Sequence, residues 1–153
     1  MQTTYERVLT FDGAAKGRAG QKTKLSYAIE RVMKSYAKQM GDLYVAYQDK
    51  LTDLNIEHCS VDERGNIIEP MVYTKEAQRA RLKGQREALR ALMEAAVEVE
   101  PYTASSLPED LTDAEREAFA GFVLPESTGE EPTGEEFIVQ PDGDLKAEAG
   151  AAN

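Results

Sequence analysis

His58 and Cys59 are the only residues of their kinds in the chain, so a cysteine–histidine nucleophile would have to be built from two neighbours. Thiolate catalysis requires the imidazole within hydrogen-bond reach of the sulfur. Residues 56–61 form a short β-prone stretch, and neighbours on a strand point to opposite faces. The pair therefore reads as a half-buried thiol and a surface imidazole. A zinc site would need four converging ligands, and the carboxylates that would have to complete it show no ligand spacing. Gly20, Gln21, Lys22 and Thr23 precede a helix in the manner of a phosphate-binding loop, but Gln21 separates the glycine from the lysine that must converge on one phosphate. The acidic turn at 62–66 is too short for a calcium loop. No pair of carboxylates sits in an apolar setting that would raise one pKa for acid–base work. These residues point to a protein that is not an enzyme, with no catalytic residues, no cofactor and no metal.

The charge that does show a pattern is basic. Arg79, Lys83, Arg86 and Arg90 are spaced 4, 3 and 4 residues apart, which lines them up on one side of a helix beside Leu82, Leu89 and Met93. Such a stripe can hold an anionic partner surface or the chain's own acidic end. The net charge is -10, distributed as +3 over residues 1–24, -2 over 25–100 and -11 over 101–153. Nucleic-acid binding depends on clustered Lys and Arg displacing counterions, so a nucleic-acid partner is not expected and a protein partner is.

The element that must position everything else is a long helix from about 22 to 54. Leu25, Ile29, Val32, Tyr36, Met40, Leu43, Tyr47, Leu51 and Leu54 recur at steps of three and four, which keeps one face apolar across Gly41. Asn55 is a candidate C-terminal cap. A β-hairpin is expected over 56–73 around Gly65, with Pro70 confining its second strand to an edge. Thr74 caps a second helix at 75–96 that packs through Leu82, Leu89, Leu92, Met93 and Ala96. Residues 97–101 alternate and could add a third strand to that hairpin. Thr112 and Glu115 form a capping box that opens a short helix through Ala120, stopped by Gly121.

The fold class that follows is mainly α (α+β), organised in three parts. Residues 1–24 are expected to be an N-terminal arm, with a short strand near Val8, Leu9 and Phe11, followed by a flexible basic loop. Residues 25–124 form the helical core with a small antiparallel sheet. Residues 125–153, with eight acidic groups and one base, form a disordered acidic tail, dispensable for folding, whose one apolar spot is Phe137, Ile138 and Val139. With 153 residues, 41% of them hydrophobic and 30% charged, one domain with a modest core is expected. With a single cysteine no intrachain disulfide is possible, and nothing suggests an oxidising compartment. No segment reaches the ~20 apolar residues of a membrane span, so a cytoplasmic location away from membranes is expected.

The order of these signals, from the long helix through the turn at 62–67, the Tyr73–Thr74–x–Glu76 helix start, the alternating 97–101 and the Thr112/Glu115 helix with Phe119, resembles small uncharacterised proteins encoded in tailed-bacteriophage and prophage genomes. The resemblance covers residues 25–123 and implies virion assembly or interference with a host system. The function expected is protein–protein interaction or assembly, through the basic stripe. The alternative is an inhibitor whose acidic C-terminal third imitates nucleic acid. Because the second helix is too short to cover the first, a homo-oligomer is expected, with Tyr36, Met40, Leu43 and Tyr47 at the contact.

Overall fold

The computed structural model describes residues 1–125, 137–139 and 145–147. The elements in chain order are β1 (Gln2–Thr4), α1 (Tyr5–Ala15), α2 (Lys24–His58), α3 (Lys75–Met93), β2 (Ala96–Glu98), β3 (Tyr102–Ala104), α4 (Asp113–Phe119), β4 (Val123–Pro125), β5 (Phe137–Val139) and β6 (Leu145–Ala147). The fold is mainly helical with small two-stranded sheets, as the apolar periodicity requires. Of the acidic segment 125–153, the described residues include Pro125 and the antiparallel pair β5–β6; the expectation of disorder falls on residues outside the described ones.

The first 24 residues depart from the expected strand and loose loop. Thr4 accepts from the backbone amide of Arg7 and caps a helix whose Tyr5, Val8, Phe11 and Ala15 are all buried. Their spacing of three, three and four places them on one helical face, and burying that face outweighs the cost of Gly13. Phe11 is the centre of the core. It stacks on Phe122 with ring centroids 4.6 Å apart and meets Phe119 and Tyr36 edge-on, geometries that favour the ring quadrupoles. Leu25, Ala28, Ile29 and Val32 of α2 and Val97 and Val99 complete the cluster.

The loop between α1 and α2 is tied down. Arg18 donates to both carboxylate oxygens of Glu115, at 2.8 and 2.9 Å, and to Asp110. Glu115 also closes the capping box of α4 with Thr112, as its spacing indicates. Arg7 donates to the carbonyls of Ala118, Glu117 and Ala120 at 3.0, 2.9 and 2.8 Å, at the C-terminal end of α4 where the helix dipole favours a cation.

The strand at 96–98 does not extend a local hairpin. It pairs antiparallel with β1, Thr3 opposite Val97, while β3 and β4 pair in parallel, Thr103 opposite Leu124. The hairpin expected at 56–73 contracts to a single antiparallel bridge, Val61 to Ile67, around Gly65 at φ 85°. It contracts because α2 runs on to His58, with Cys59 as its cap, and consumes the first strand. Asn55 is therefore inside the helix rather than capping it.

α2 is continuous through Gly41, and its two halves have different surroundings. Its N-terminal half is covered by the chain itself. At the edge of that cover, the Gln39 side chain accepts from the Glu98 amide (2.8 Å) and donates to the Glu98 carbonyl (2.7 Å). Ser35 accepts from the Glu100 amide at 3.0 Å. Beyond Gln39, α2 and α3 run antiparallel as a helical hairpin beside the core.

Candidate protein-binding groove

The hairpin is held together by a close approach. A β-carbon at Gly84 would lie 2.6 Å from Leu54 Cδ2, so any larger residue there requires the buried Leu54 side chain to shift. At the far end Arg81 donates to Asn55 Oδ1 at 2.9 Å, and its guanidinium lies 4.2 Å from the centre of the Tyr73 ring. Thr74 caps α3 as its type predicts, accepting from Ala77 at 3.1 Å.

Along one side of the hairpin the helices diverge and leave a groove of about 700 Å³. On the α2 side it is lined by Leu43, Ala46, Tyr47 and the buried Leu54, and on the α3 side by Ala80, Gly84, Ala88, Ala91 and the buried Leu92, so that the exposed part of the α3 wall is all small residues. Lys50, Glu57, Lys83 and Glu87 border it. On the outer side of α2, Asp49, Asp53 and Glu57 recur every four residues, all exposed. On the outer side of α3 lie Arg79, Lys83, Arg86 and Arg90, also all exposed. Of the basic stripe Lys83 borders the groove, and of the acidic row Glu57; helical spacing places Arg79, Arg86 and Arg90 on the flank of α3 next to Lys83, and Asp49 and Asp53 on the flank of α2 next to Glu57. Among the described residues, no ion pair joins α2 to α3.

Two assignments on α3 need correction. Leu82 and Leu89, expected to pack, are 39% and 42% exposed, because α2 approaches α3 over Gly84 and Leu92 and leaves those leucines on the far side. Ala96 belongs to β2 rather than to α3.

The four residues expected at a self-association contact separate. Tyr36 is only 3% exposed, packed edge-on against Phe11 and donating its hydroxyl to Asp12 at 2.7 Å. Burial and then the Asp12 carboxylate push that hydroxyl far above the ordinary tyrosine range. α1, unforeseen in the sequence, covers Tyr36 and leaves it little surface of its own. Met40, Leu43 and Tyr47 are all half-buried against the margin of the core. Leu43 and Tyr47 line the groove. The groove-lining Ala80, Gly84, Ala88 and Ala91 escaped sequence reading; their signal was a glycine and alanines at helical spacing on the side of α3 away from Leu82 and Leu89.

The residues first considered for chemistry sit elsewhere. His58 ends α2 at the groove, and Cys59 is the cap that follows, its sulfur 3.5 Å from the Ile56 carbonyl; neither lies on a strand. The Gly20 amide donates to the Glu30 carboxylate at 3.0 Å, and Thr23 and Ser26 close a capping box on the amides that follow, so those donors face protein acceptors. Among the described residues, no three His, Cys, Asp or Glu side chains gather as metal ligands would, and no helix is long and apolar enough to cross a membrane. No known family matches the chain, and neither the curated proteins nor the solved structures contain a significant match.

Proposed function

We propose that this chain is a non-enzymatic interaction or assembly protein that grips another protein in the groove between α2 and α3. One observation carries the reading. The core is already closed by α1, α4 and the N-terminal half of α2, and the chain then adds a helical hairpin with an uncovered apolar channel flanked by charge. Apolar surface left exposed in this way is a hallmark of protein contact surfaces, and a channel between antiparallel helices suits an amphipathic helix laid along it. The charged rims would set orientation and association rate. A phage or prophage setting, in the host cytoplasm or an assembling virion, fits this role and the resemblance noted above.

The test is a photo-crosslinking residue at Ala88, on the groove floor, compared with one at Glu30, exposed at the other end of α2. The proposal expects a discrete protein adduct in expressing cells from position 88 and none from position 30. Equal labelling from both positions, or none from 88, would contradict it.

A further inference from the structure

We infer that the groove's partner is a second copy of the chain, related by a two-fold axis parallel to α2 and α3, so that each α2 lies across the other copy's α3. The inference rests on the groove being a protein-binding surface and names its occupant. Two grooved faces can meet through a two-fold axis in two simple ways. With the axis parallel to the helices, the half-exposed Leu43 and Tyr47 of one α2 lie over the small residues of the other copy's α3, Tyr47 at the level of the exposed Ala91. With the axis across them, large side chains meet large ones and the alanines face each other over a void, which close-packed interfaces avoid.

Charge selects the same axis. Rotation about a line parallel to the helices preserves height along them, so a residue of α2 meets the residue of the other α3 that stands at its own level. Levels are fixed by Leu54 beside Gly84 and Asn55 beside Arg81. Within about three residues, or ~4.5 Å at 1.5 Å per residue, Asp49 then stands at Arg90, Lys50 at Glu87, Asp53 at Arg86 and Glu57 at Lys83. All four pairs are opposite in sign, and Lys50 and Glu87, each contrary to the dominant charge of its own rim, face each other. All eight side chains are exposed, and no ion pair between α2 and α3 engages them within the chain among the described residues. The crossed axis would instead set acidic row against acidic row, a cost that specific interfaces avoid. The result is a bundle of four helices in which every adjacent pair is antiparallel, with the isologous contact that closed dimers use.

The experiment is sedimentation equilibrium on the full chain and on charge-reversed variants, with circular dichroism to confirm unchanged helicity. The wild type should approach twice its 16.9 kDa mass as concentration rises. Asp49→Lys with Asp53→Lys should weaken association about tenfold or more, and so should Arg86→Glu with Arg90→Glu, since each sets like charges together. The chain carrying all four changes should regain association, as should an equimolar mixture of the two double variants. A wild type that stays at 16.9 kDa overturns the inference; an Ala88 crosslink to a different protein would then preserve the groove's role with another occupant, whereas no crosslink would remove both. Association indifferent to either reversal, or not restored by the fourfold change, also overturns it.

Discussion

Gly84 on α3 stands so close to Leu54 on α2 that a β-carbon there would lie 2.6 Å from a leucine methyl. This contact is the tightest approach of α3 to α2 among the described glycines, and it lies beside the groove. Gly84→Ala should gain about 1 kcal/mol of helix propensity and lose more to overpacking, typically about 1–3 kcal/mol. Urea unfolding should show a lower midpoint. Gly41→Ala, where no atom lies within 4 Å of the new carbon, should raise the midpoint by about 0.5–1 kcal/mol equivalent. If both alanines stabilise alike, the close approach does not restrain the hairpin.

The guanidinium of Arg7 joins the first helix to the last. Arg7→Ala should cost about 2 kcal/mol, because hydrogen bonds from a charged group are lost and carbonyls at the end of α4 lose their donor. Arg7→Lys should recover less than half of that, since an ammonium cannot reproduce the planar fork. Thermal unfolding of the three proteins reads the order directly.

Glu115 gives a pH signature. The Arg18 guanidinium, and then the Thr112 amide, hold its carboxyl down to about 2. A carboxylate whose folded pKa is depressed contributes stability above its unfolded value, near 4.3, and loses that contribution as pH falls toward the folded value. Wild type should therefore exceed Glu115→Gln in stability at pH 6, with the gap narrowing between about pH 4.5 and pH 2. A gap constant over that range would show that the ion pair contributes nothing.

Tyr36 separates core from interface. Tyr36→Phe should cost about 1 kcal/mol through the lost hydrogen bond to Asp12 and leave the Ala88 crosslink unchanged. A lost crosslink with intact stability would return Tyr36 to the contact surface.

The legibility of these features followed their range in sequence. The long helix showed itself because its apolar residues repeat from Leu25 to Leu54, and the caps at Thr74 and Thr112 because capping is settled within four residues. α1 was missed although Tyr5, Val8, Phe11 and Ala15 follow the helical step, since Gly13 and the short Val8–Leu9 run resemble a strand and its end. The pairing of β1 with β2 joins residues some 95 positions apart over three residues each, which no local pattern announces. The basic stripe was visible as spacing. Its place beside a groove was not, because that depends on how α2 packs on α3, a contact between residues 30 positions apart such as Leu54 and Gly84.

The central claim, that the α2–α3 groove is covered by protein in the cell, is tested most directly by hydroxyl-radical footprinting of the chain in living cells against the purified chain at high dilution. Leu43 and Tyr47, in the groove, should be oxidised several-fold less in the cell, while Leu9 and Tyr27, which are 41% and 53% exposed on the core, should react equally in both. Equal oxidation of Leu43 and Tyr47 in the two settings would contradict the account.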